Sequence, residues 1–150
     1  MSWSKPRNGT KMDAVLIVLS IVGFTVSTYF TGVAYRWIRP DARWIPSFCR
    51  MGEQTCASIV FTPRARVFGL PNSLLGQIYY LALSIGIPLG LLAEPRVLVM
   101  YMCVSLLTVV LAVYLSYSLL VLTRVPCKLC FTSHGINVVI FILLLLNYPE

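Results

Sequence analysis

Charge is scarce in this 150-residue chain: 11% of residues are Asp, Glu, Lys or Arg, against 58% hydrophobic. A soluble domain carries about 25% charged residues. The apolar surface exceeds what a ball of this size can hide, so a soluble globule is excluded. The same figures exclude disorder. Acidic residues are rarer still, five against twelve basic ones, for a net charge of +7. In a soluble protein that excess would point to nucleic acid. Beside apolar runs it fits basic groups at a membrane surface, facing anionic headgroups or partners, and no nucleic-acid role is expected. Internal repeats and low-complexity tracts are missing too. What remains is a single all-α integral membrane domain over residues 1–150.

Four stretches contain no Asp, Glu, Lys or Arg: 14–35, 67–93, 97–123 and 129–149. A spanning helix needs about 20 mostly apolar residues. The expected architecture is a four-helix transmembrane bundle with spans near 14–35, 73–93, 97–123 and 129–148. Pro71 and Asn72 mark the start of the second helix, Asn72 as its cap. Pro88 kinks or ends that helix. Glu94-Pro95-Arg96 is a tight turn. Lys5, Arg7 and Lys11 precede the first span, as in a signal peptide. Its apolar run is too long for one and no A-x-A site follows, so an uncleaved helix is expected.

Four spans put both termini and the 94–96 turn on one side. The long loop 36–66 between helices one and two and the link at 124–128 share the other. That second side holds Cys49, Cys56, Cys127 and Cys130; Cys103 sits within the third span, where a packed core thiol is expected. Counting arginines and lysines would put the long loop in the cytoplasm. Disulfide chemistry belongs in the oxidising compartment. We give the chemistry precedence and expect an extracytoplasmic loop. Trp37 and Trp44 read as interfacial anchors.

Cys127-Lys128-Leu129-Cys130 opens the fourth span. Unpaired N–H groups and the macrodipole at a helix start stabilise a thiolate, the reactive form of cysteine. Pro126 suits the first turn and Lys128 adds positive charge. Cys127, Cys130, His134 and Asn137 follow at helical spacing, forming one stripe. Polar groups at that depth face a bundle interior. The second span carries Asn72 at its tip, with Ser73, Gln77 and Tyr80 on one face. If the two helices pack together, they enclose a pocket with hydrogen-bonding groups at its mouth and apolar walls. That pocket suits a flat apolar molecule with polar carbonyls, such as a quinone.

Cys49 and Cys56 form a second pair in the loop. A loop pair can meet an external thiol protein and exchange with the helix pair through a mixed disulfide. Other readings exist for the same residues. The four cysteines could bind zinc, although C-x₆-C is wider than the usual spacing. They could be two static bridges. His134, Ser73, Gln77 and Asn137 could merely bond neighbouring helices.

The order of these motifs resembles the vitamin K epoxide reductase family, particularly its bacterial members. It runs Cys49 and Cys56, then Phe68-Gly69, then Asn72-Ser73, then Cys127-x-x-Cys130-Phe131-Thr132, with Asn137 beyond. The resemblance implies a four-helix bundle around a quinone pocket with extracytoplasmic cysteines. It implies Cys130 nearest the quinone and Cys127 as its partner. Cys56 would exchange with Cys127, and Cys49 would meet a reduced thioredoxin-like protein. Asn72 matches the asparagine that bonds a quinone oxygen. His134 stands where animal relatives carry a tyrosine with the same task.

The segment between Phe68-Gly69 and Asn72 is shorter than in animal relatives, and the C-terminus lacks a dilysine signal. Both favour a bacterial quinone-linked oxidase in the inner membrane. No fused thioredoxin-like domain fits in the chain, so a separate periplasmic DsbA-like partner is expected. Such a partner works near about −120 mV, which a respiratory quinone can accept from and a glutathione pool cannot. The expected activity is quinone-dependent thiol-disulfide oxidation, with no metal. The alternatives are vitamin K quinone or epoxide reduction driven by external dithiols, and a non-enzymatic transporter or Cys₄ metal-binding membrane protein.

Overall fold

The computed structural model describes residues 9–39, 43, 62–122, 124 and 127–148. Cys49, Cys56, Trp44 and Pro126 lie outside the described residues. Four α-helices account for most of what is described: α1 (Gly9–Ala34), α2 (Asn72–Gly86), α3 (Pro95–Tyr117) and α4 (Lys128–Leu146). Their sequences are long apolar runs without interior proline, as helices in an apolar medium require.

Three of these segments are long and apolar enough to cross a membrane: Lys11–Ala34, Pro95–Leu122 and Lys128–Leu146. The second of them includes a π-helical turn, Ser118–Leu122, that extends α3. Helix α2 is different. It has 15 residues, about 22 Å at 1.5 Å per residue, which is short of a hydrocarbon core of about 30 Å. The stretch expected to span 73–93 is broken at the place where Pro88 is expected to kink or end it. The helix stops at Gly86, before Pro88, and the chain turns through Gly90 at φ 70° into a 3-10 helix, Leu91–Ala93. Proline removes a helix hydrogen bond and glycine supplies the left-handed turn.

Ahead of α2 stands a two-stranded hairpin, β1 (Arg66–Val67) and β2 (Leu70–Pro71). Its two loop residues, Phe68 and Gly69, both have positive φ, 54° and 82°, the geometry of a tight primed turn. The side chain of Asn72 does not cap α2. Pro71 occupies the cap position, without a side-chain cap bond, and Asn72 is the first helical residue.

The helices alternate in direction. The beginning of α1 and the end of α4 share one cluster, through Leu16, Ile140 and Leu144, which also takes in Leu83, Ile87 and Leu92. The end of α1 and the beginning of α4 share another, through Phe30, Val33 and Cys127. Packing is closest between α1 and α2 and between α3 and α4. Gly23 of α1 permits one approach: a Cβ there would lie 2.5 Å from the Tyr80 ring of α2. Small residues at such crossings let van der Waals contact, rather than water exclusion, hold membrane helices together.

Side-chain hydrogen bonds add to it. Thr31 Oγ1 donates to Ser73 Oγ (3.0 Å), Gln77 Nε2 to Thr28 Oγ1 (3.0 Å) and Tyr79 Oη to Ser105 Oγ (2.9 Å). Each is worth about 0.6 kcal/mol in a membrane bundle. The outward surface is aliphatic, with Val18, Leu107, Val113 and Leu146 more than half exposed. Cys103 lies on this outer surface. The expected packed thiol is thus corrected: its position on α3 points away from the other helices.

Candidate functional site

A cavity of about 480 Å³ lies among the four helices, with Thr62, Arg64, Ala65 and Pro71 at its mouth. That volume is within the range of small-molecule sites, about 300–1,000 Å³. Asn72, Ser73, Tyr80, Cys130 and His134 all line it. The residues expected to hold a quinone, drawn from two helices whose starts lie 56 positions apart in sequence, are therefore brought to one space together with one cysteine. Ser133 and Asn137 of α4 join them. The remaining walls are mostly apolar, built from α2 and α3 with Leu75, Ile78, Val104, Leu107 and Leu111.

The cavity opens sideways between α2 and α3. Ile78 and Leu107 line it while being 59% and 62% exposed. These two helices meet where the Tyr79 hydroxyl donates to Ser105 Oγ and where the Tyr101 hydroxyl donates to the Ala82 carbonyl at 3.0 Å.

The helix pair of cysteines is split by its geometry. Cys127 is the N-cap of α4 and fully buried. It packs with Phe30 and Val33 of α1. Its sulfur accepts the backbone N–H of Cys130 at 3.4 Å. A sulfur that caps a helix in this way sits at the positive end of the macrodipole, where negative charge is favoured. Cys130, one turn on, is half-buried and faces the cavity. One thiol is tucked under the end of α1 and the other is presented to a ligand.

The polar stripe continues down α4. His134 Nε2 is buried with no hydrogen-bond partner among the described residues. An unmet polar atom on a cavity wall is costly unless a ligand or water satisfies it. Asn137 Oδ1 accepts a hydrogen bond from the Tyr80 hydroxyl, which also lies 3.5 Å from Ser133 Oγ. The amide of Asn72 has no side-chain partner among the described residues.

Gln77 departs from expectation. It lies on the outer α1–α2 groove with Thr28, Thr31 and Tyr35 instead of in the cavity. Thr28 supplies the nearest polar group, and the two pair where lipid would otherwise meet a bare amide. Sequence reasoning gave Asn137 and Ser133 too little weight. The signal for both was the Cys130 stripe, since Ser133 and Asn137 stand three and seven residues after it.

The family model described as "Vitamin K epoxide reductase family" matches residues 14–145. The match spans all four helices, the hairpin and the cavity they enclose. By that match the chain belongs to the vitamin K epoxide reductase family, membrane oxidoreductases that use quinones of the vitamin K type as substrate.

Proposed function

We propose that this protein oxidises a thioredoxin-like, DsbA-like partner and passes the electrons through two cysteine pairs to a membrane quinone. The observation that carries this reading is the meeting of Cys130, His134 and Asn72 on one mostly apolar cavity. Asn72, Ser73, His134 and Tyr80 form the quinone site, and Cys127, Cys130, Cys49 and Cys56 carry the electrons. Four membrane-crossing elements are proposed, α2 being completed by the turn and 3-10 helix that follow it. The cysteine side faces the periplasm or its equivalent.

The chemistry balances as two coupled oxidations. The partner's two thiols become a disulfide while the Cys49–Cys56 disulfide becomes two thiols. Exchange of Cys56 with Cys127 then reduces the helix pair. Oxidation of Cys127 and Cys130 to a disulfide releases two electrons and two protons, which convert a quinone to a quinol. The helix start at Cys127 favours the thiolate needed for each exchange. The apolar walls exclude water from the reacting sulfur. Asn72 supplies hydrogen-bond donors for a quinone oxygen, and His134 a ring nitrogen that can serve as a donor.

Dithiothreitol-driven reduction of a short-chain quinone by the purified protein tests the electron outlet. Activity should vanish in Cys130→Ser; persistence would refute the outlet. Cys56→Ser with Cys49 intact should trap a mixed disulfide with a reduced DsbA-like protein. A bound metal released by that substitution, without a mixed disulfide, would favour the metal-site alternative. Membrane-impermeant maleimide, applied to intact and permeabilised cells after reduction, reads the orientation of the cysteines.

A further inference from the structure

We infer that Asn137 is a direct quinone contact, and that Tyr80 is the positioning residue that holds its amide nitrogen toward the cavity. This rests on the quinone reading above. Tyr80 is 1% exposed, and its ring fills the place that a side chain on Gly23 would take. The ring is wedged against α1 on that side. Its hydroxyl donates to Asn137 Oδ1, so the carbonyl end of the amide is committed to the protein. The nitrogen end has no partner among the described residues, and Asn137 lines the cavity.

An asparagine amide offers either an acceptor or two donors. With Oδ1 accepting from the Tyr80 hydroxyl, as in this structure, the end left for a ligand is the donor end. Quinone oxygens only accept hydrogen bonds, whereas quinol hydroxyls also donate. A nitrogen-first amide therefore favours the oxidised ligand. Flipped, it would set oxygen against oxygen for the quinone and would welcome the quinol. His134 lies three residues earlier on the same stripe, with its Nε2 buried at the same wall. In this orientation the Tyr80–Asn137 pair biases the cavity toward the oxidised ligand, and so favours departure of the reduced product.

Binding can be read without turnover in a Cys130→Ser background, purified in detergent. The probes are ubiquinone-1 and ubiquinol-1, and menadione and its quinol. Tyr80→Phe should weaken quinone binding about tenfold, the factor that one hydrogen bond commands. Quinol binding should hold or tighten, so the quinone-to-quinol preference falls. Asn137→Leu should lower that preference at least as far as Tyr80→Phe does, and Tyr80→Phe should then add nothing.

Equal weakening of quinone and quinol by Tyr80→Phe would overturn the inference, since loss of packing alone does that. So would an undiminished Tyr80→Phe effect in the Asn137→Leu background. If Tyr80→Phe fails to fold, Asn137→Leu decides alone: a retained preference contradicts the assignment. Failure of the parent protein to bind either quinone would remove the proposed function along with this inference. Binding with a preference that both substitutions leave intact would remove the inference only.

Discussion

The same helices build two unlike halves. Toward the start of α1 and the end of α4 they close on a solid core of Leu16, Leu83, Leu98, Ile140 and Leu144, each 2% exposed or less. Toward the start of α4 they part around a cavity and turn polar side chains inward. Helix α4 shows the change along one face: Cys130, His134 and Asn137, then Ile140 and Leu144. The closed half fixes the crossing of the helices. That lets the open half keep unmet donors and a void, which would be unstable alone. Tyr80 stands at the border, belonging to the core and lining the cavity at once.

Substitutions separate the halves. Leu83→Ala or Ile140→Ala should cost the most stability, about 2–5 kcal/mol by the measure of buried large-to-small changes. Denaturant titration in detergent should show it, whereas Leu107→Ala on the cavity edge should shift the midpoint little. Gly23→Ala comes next. A new Cβ 2.5 Å from the Tyr80 ring should cost about 1–3 kcal/mol by overpacking, and should raise the quinone KM as the ring is displaced. His134→Ala should raise the quinone KM about tenfold, the loss of one hydrogen bond. Exchange with the thiol partner should be unchanged; equal losses in both half-reactions would contradict a quinone contact. Cys103→Ala should be silent, within about 0.5 kcal/mol and with full turnover, as expected of an outward position.

The sequence discloses the closed half and the open half unequally. Long charge-free runs identify helices wherever they occur, and helical spacing carries Cys130, His134 and Asn137 to one face. Proline placement announces the break after Gly86, though not that the helix falls short of a membrane thickness. What spacing does not reveal is the partner across each interface. Gln77 shares a face with Ser73 on paper, and Thr28 of α1 draws it outward. Cys103 has the composition of a core residue and an outward position. Asn137 reads as helix glue, and its hydrogen bond from Tyr80 across α2 and α4 bears that out; that Asn137 also lines the cavity is not legible from spacing. Each of these depends on tertiary neighbours that no periodicity encodes.

The central claim is that Cys130 delivers electrons to a quinone held in this cavity. Protein reduced beforehand, freed of reductant and mixed anaerobically with a quinone, tests it in a single turnover. Quinone loss is followed by absorbance and thiol loss at Cys127 and Cys130 by mass-tagging. The account predicts one quinone reduced for each Cys127–Cys130 pair oxidised, and no reaction in Cys130→Ser. Quinone reduction with both thiols intact, or at undiminished rate in Cys130→Ser, would contradict it.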